Sequence, residues 1–228
     1  MFHMVLISVT PELMPPPRRR QWPPLFLLQR HNRIHFPFLV HNTVYSSHLV
    51  DLGVTKKFMS LTDDFVITVN NSVMFKIKSK VFNIHNKRVL LDSTGNPILT
   101  LRHKILTAPH IRWMAYKGES KDPTDLLFTA ETTSVIQFKS NLNVYLANNK
   151  TSEDVCDFKV EGSWSERSCV IYVGKSKTIA ARMHLKESAQ SYFLGTDTFM
   201  ITIYPHIDYV LIVALVVILD AINAGYDF

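Results

Sequence analysis

The segment YVLIVALVVILDAINAGYDF, residues 209–228, decides how the chain is read. Eleven consecutive apolar residues run from Tyr209 to Leu219, bounded by Asp208 and Asp220, with Pro205 just upstream where a helix would begin. As a helix, such a run rises about 16 Å, roughly half of a ~30 Å hydrocarbon core. Extending it in either direction meets a carboxylate, which costs about 2.5–3.5 kcal/mol near a bilayer centre. No transmembrane span is therefore expected. A helix that is apolar on every side must still be enclosed by apolar surface. Tyr209, Leu211, Ile212, Val213, Leu215, Val216, Ile218 and Leu219 are expected to form a buried plug.

What would enclose the plug is written upstream. From about Val50, short β-rich runs alternate with polar turns every eight to twelve residues, beginning with KKFMSL and ending with TFMITIY. That spacing argues for a sandwich or barrel. In SVMFKIKSK, Phe75, Ile77 and Ser79 take one face while Lys76, Lys78 and Lys80 take the other, because successive side chains of a strand change sides. LLDSTGNPILTLR reads as a hairpin, with Asp92, Gly95 and Asn96 suited to the turn and Pro97 opening the next strand. The runs VFNIH and SVIQFK complete a set from which about a dozen ladder strands are expected. A barrel of that size is too wide to be filled by strand side chains alone. The expected fold class is thus all-β, a barrel of about twelve strands around a C-terminal hydrophobic helix, occupying residues 51–224.

Residues 1–50 read differently. They hold seven of the eleven prolines and five of the ten histidines, centred on PPPRRRQWPP, and are expected to form a disordered or poorly packed arm. The start, MFHMVLISV, lacks the basic residues that open a signal peptide. Arg18, Arg19 and Arg20 make a weak nuclear-import patch at most.

Chemistry is hard to find. The seven glycines include no GxG pair, and HExxH, CxxC and GxSxG are absent. Cys156 and Cys169 lie thirteen apart, which suits neither a disulfide framework nor a zinc site. No catalytic residue, metal ligand or cofactor is expected.

Charge is uneven along the chain. Residues 51–117 hold eleven Lys and Arg against four acids, or +7, whereas 118–228 hold nine against fourteen, or −5. A basic face of that kind suits phosphate-bearing partners. Lys76, Lys78, Lys80, Lys87, Arg88, Arg102, Lys104 and Arg112 are its candidate anionic-lipid-binding residues.

Four stretches, taken in order, resemble the LURP-one-related proteins, the plant branch of the Tubby C-terminal-like and phospholipid scramblase superfamily. They are VTKKFMSLT, VFNIHNKRVLLDSTGNPILTLRHK, DFKVEGSWSERSCVIY and FMITIYPHIDYVLIVALVVILDAI. The resemblance covers about residues 50–222 and implies a β-barrel closed around a C-terminal helix. In GSWSERSC, Gly162, Trp164 and Arg167 match the family pattern and read as a turn residue, a packing anchor and a hydrogen-bonding brace. Where the family has a glycine-bearing turn between its second and third strands, this chain has VNNSV.

The resemblance implies a non-enzymatic module of plant stress or defence that associates with anionic phospholipids, phosphoinositides among them, or with protein partners the sequence does not identify. Two alternatives are a scramblase-like membrane-associated protein and a Tubby-like, membrane-tethered transcriptional regulator. Nucleic acid is the less expected partner. The expected location is the cytoplasm, with peripheral membrane attachment or nuclear residence as alternatives.

Overall fold

The computed structural model describes residues 46–57, 63–79, 87–105, 111–133, 141–148, 155–185 and 196–224. The expectations for residues 1–45, for Lys80, and for the runs VFNIH and SVIQFK lie outside these residues.

Twelve strands form a single closed barrel: β1 (Val50–Lys57), β2 (Asp63–Val69), β3 (Ser72–Ser79), β4 (Lys87–Asp92), β5 (Pro97–Ile105), β6 (Ile111–Lys117), β7 (Leu126–Thr132), β8 (Leu142–Leu146), β9 (Phe158–Glu161), β10 (Val170–Val173), β11 (Ile179–Leu185) and β12 (Thr196–Ile203). Each strand pairs antiparallel with its sequence neighbours, and β1 closes the ring on β12, from Val50 opposite Ile203 to Lys57 opposite Thr196. Among the described residues closure leaves no edge strand whose backbone groups could recruit another chain. The first strand lies earlier than KKFMSL. In VDLGVTKK, Leu52 and Val54 are buried between Asp51, Gly53 and Thr55, so the alternation begins at Val50.

Turn chemistry sets the register. Asn70 and Asn71, with φ of 48° and 64°, give the β2–β3 hairpin a tight turn, so two asparagines supply the positive φ that glycine often provides. At the β4–β5 hairpin, Asp92 Oδ1 accepts from the amides of Thr94 at 2.9 Å and Asn96 at 2.8 Å. The Thr94 hydroxyl donates to the same oxygen at 2.7 Å, and this bond first, then the amide of Asn96, holds the Asp92 carboxyl well below the usual carboxylate range.

Helix α1 (Tyr209–Asn223) fills the barrel, and every residue from Tyr209 to Ala221 is buried. Around it stand inward side chains that include Leu52, Phe65, Ile77, Leu101, Trp113, Phe128, Phe158 and Phe199. Its first turn is capped by Asp208, which accepts from the amides of Val210 at 2.7 Å and Leu211 at 3.3 Å. That carboxylate also meets the positive end of the helix dipole. Among the described residues no helix is long and apolar enough to cross a membrane.

Candidate functional site

The register decides which cations share a surface. On β3, Phe75 and Ile77 are buried, so Lys76 and Lys78 project outward from the barrel. On β5, Leu99 and Leu101 point inward, which turns Arg102 and Lys104 out. Lys87 on β4 stands directly opposite Arg102, and Lys104 stands directly opposite Arg112 on β6. Arg102 and Lys104 are two positions apart on one strand, about 7 Å. Lys87, Arg102, Lys104 and Arg112 are therefore consecutive neighbours on the outer wall, with Lys78 beside them. Like charges placed directly opposite across a ladder are destabilising by a few tenths of a kcal/mol or more, and this wall contains two such pairs.

Partners are unequally distributed. Arg112 Nε forms an ion pair with Glu131 Oε1 at 2.6 Å, without the alignment of a hydrogen bond. Lys87 Nζ reaches Glu119 Oε1 at 3.1 Å. Among the described residues, Lys76, Lys78, Arg102 and Lys104 meet no carboxylate, and the buried Nε of Arg102 has no acceptor.

Arg88 belongs elsewhere. It follows Lys87, so it faces the other way, opposite the inward Leu101, and its guanidinium bonds Asp220 Oδ2 at 3.2 Å. Lys56, inward on β1 beside Phe65, bonds Asp220 Oδ1 at 2.5 Å. Asp220 is a buried acid in the last turn of α1, next to the negative end of the helix dipole, and α1 has no basic residue of its own there. Two cations from the barrel wall compensate both charges at once. Sequence reasoning passed over Lys56, although the alternation of VDLGVTKK would have turned it inward.

The β9–β10 connection closes over β12. Gly162 has φ of +133°, and a Cβ there would stand 2.7 Å from Ser168 O and 2.8 Å from Cys169 Cα. Trp164 packs edge-on against Phe199 with ring centroids 5.7 Å apart. The guanidinium of Arg167 lies 4.2 Å from the centre of the Trp164 ring and 4.7 Å from that of Phe199. Arg167 also donates to Trp164 O at 3.1 Å and pairs with Asp197. Its donors are thus spent within the loop and β12.

Burial pushes the Cys169 thiol up to about 11 and raises that of Cys156, so neither is a ready nucleophile. Burial lowers the pKa of His103, which sits inward beside Trp113. Among the described residues no group of three or more His, Cys, Asp or Glu is placed to hold a metal ion.

Comparison with known proteins matches this architecture. The LURP-one-related family profile matches residues 50–220. Protein LURP-one-related 15 of Arabidopsis thaliana is 51% identical over 176 residues, covering 76% of this chain and 80% of that one. Protein LURP1 of the same plant is 42% identical over 191 residues, covering 82% and 91%. An Arabidopsis thaliana protein solved by X-ray crystallography aligns with a TM-score of 0.60 at 41% identity, covering 78% of this chain and 94% of that one. These relatives' names denote no enzymatic activity. A closed twelve-strand barrel around a buried C-terminal helix, matched by the family profile from β1 into the last turn of the helix, makes this chain a member of the LURP-one-related family.

Proposed function

We propose that the chain is a non-enzymatic docking module whose β3–β6 outer wall binds the headgroups of anionic phospholipids at a membrane surface. One observation carries this reading: Lys87 opposite Arg102 and Lys104 opposite Arg112, with Arg102 and Lys104 lacking any carboxylate among the described residues. A wall that tolerates two like-charge cross-strand pairs is suited to an external anion that relieves their repulsion. Lys76 and Lys78 extend the same field on the neighbouring strand. Arg88 has no part in it, since its charge is directed at Asp220. The link of the LURP-one-related family to plant defence supports a role in stress signalling on the cytoplasmic side of a membrane.

Co-sedimentation with phosphatidylcholine vesicles, with and without phosphatidylserine, tests the reading. Replacing Arg102 and Lys104 together by glutamine is expected to weaken binding to the anionic vesicles by about 30-fold, from ~1 kcal/mol per charge. Binding should also fall as salt rises. Equal binding to neutral and anionic vesicles would overturn it.

A further inference from the structure

The basic wall carries an anion of its own. The β6–β7 connection does not leave the barrel freely, because Gly118 is tied back to β5 twice. Its amide donates to Ile98 O at 2.8 Å, and its carbonyl accepts from Thr100 Oγ1 at 2.7 Å. Gly118 has φ of +54°, which lets the chain reverse at that point. The amide of Ser120 then returns to Lys117 O at 3.1 Å, and Asp122 caps a short helical turn, Pro123–Asp125, that leads into β7. The connection is fixed at both ends, and between them Glu119 is directed back across β5 to Lys87 on β4.

The pair is lopsided in exposure. The Lys87 side chain is 13% exposed, whereas that of Glu119 is 57% exposed. The carboxylate is largely in water and the ammonium largely under cover, so an incoming anion meets Glu119 before it meets Lys87. Arg112 is paired differently, with Glu131 of the adjacent strand directly opposite it in the ladder. Glu131 belongs to the wall, while Glu119 is delivered to it by a loop.

Resting on the lipid-binding reading above, we propose that Glu119 is a tethered competitor that occupies Lys87 and raises the membrane charge density at which Lys87 joins the docking surface. An exposed ion pair is weak enough to be displaced. A dense anionic surface attracts each lysine about as strongly as such a pair holds it. A sparsely charged surface then engages Arg102, Lys104, Lys76 and Lys78 and leaves Lys87 with Glu119. A densely charged one recruits Lys87 as well, at the cost of the pair with Glu119, so that the loop carboxylate weakens binding most where the membrane charge is dense.

Glu119→Gln tests this in the full chain, using phosphatidylcholine vesicles with increasing phosphatidylserine. The variant is expected to bind about as the parent does at low phosphatidylserine content and up to about fivefold more tightly as the content rises. Glu161→Gln changes the net charge equally, at the Lys159 pair on β9, and is expected to give no such gain. In a Lys87→Gln background the gain should vanish. Acylation of Lys87 by an amine-reactive reagent, followed by peptide mass spectrometry, is expected to be faster in Glu119→Gln in the absence of vesicles.

An unchanged acylation rate without vesicles, an affinity equal to that of the parent at high phosphatidylserine content, or a gain that survives in the Lys87→Gln background would overturn the inference while leaving the lipid reading intact. Loss of all preference for anionic vesicles in both parent and variant would bring down the lipid reading, and the inference with it.

Discussion

Replacing Asp220 by asparagine tests whether charge holds the far end of the buried helix. The carboxylate is 3% exposed and faces Lys56 at 2.5 Å and Arg88 at 3.2 Å, whose side chains are 22% and 11% exposed. Removing one member of a buried ion pair costs about 3–5 kcal/mol, because its partners stay charged and unmatched. Two features reduce that figure here. Lys56 keeps part of its surface in water, and the last carbonyls of α1 still offer negative partial charge, worth about 0.3–1 kcal/mol for a nearby cation. The expected net loss is about 2–3 kcal/mol, or roughly 5–10 °C in melting temperature for a domain of this size.

Urea titration followed by the fluorescence of Trp113 and Trp164, both buried, reads the change. A double-mutant cycle with Lys56→Met should return a coupling above about 1 kcal/mol. Replacing all three groups by apolar ones, Lys56→Met, Arg88→Met and Asp220→Leu, should recover most of the loss, since a buried ionic cluster exchanged for well-packed apolar groups is often neutral or stabilising. A loss for Asp220→Asn below about 0.5 kcal/mol, the range of an ordinary surface change, would refute the reasoning.

Three further outcomes follow from the same structure. Val213 is 1% exposed in the middle of α1, and Val213→Asp should abolish folding, because an unpaired buried carboxylate costs several kcal/mol against a total stability of about 5–15. A soluble variant with a cooperative urea transition would contradict the buried-plug account. Gly162→Ala should destabilise by at least about 2 kcal/mol, from its positive φ and the clash with the backbone of Ser168 and Cys169; calorimetry showing an unchanged melting temperature would rule this out. The Cys169 thiol rises from 9.0 to about 11 on folding, so the unfolded chain loses that proton first. Stability is therefore unaffected by this group below about pH 9 and falls between pH 9 and 11, by about 2–3 kcal/mol. Cys169→Ala should flatten that part of the pH profile, and an equal slope in both proteins would exclude the thiol as its source.

The fold was legible because two periodicities could be told apart without coordinates. Period-two alternation in SVMFKIKSK gave a strand with a lysine face, and an apolar run bounded by Asp208 and Asp220 could only be enclosed. The outer wall was only partly legible. In KRVLLD, Val89, Leu90 and Leu91 are all buried, so the alternation that would separate Lys87 from Arg88 is missing, and charge alone groups the two as candidates. Only the register, with Lys87 opposite Arg102 and Arg88 opposite Leu101, divides them. Asp220 read as a polar boundary of the helix because its partners lie 164 and 132 residues away, on β1 and β4. Glu119 carried no local signal, because its reach to Lys87 depends on two bonds that Gly118 makes to another strand.

The closing of β1 on β12 has a consequence for how the protein is made. The strand that must meet Ile203 begins at Val50, and at about 5–20 residues per second a ribosome needs on the order of 10–30 s to supply the roughly 150 residues between them. The helix that fills the cavity comes later still, after Ile203. Until it emerges, no helix covers the apolar side chains that face it in the finished barrel. Ring closure over so long a loop is also intrinsically slow. This barrel should therefore depend on chaperones during synthesis far more than its final stability would indicate, and a premature stop just before Tyr209 should yield a chain destined for degradation.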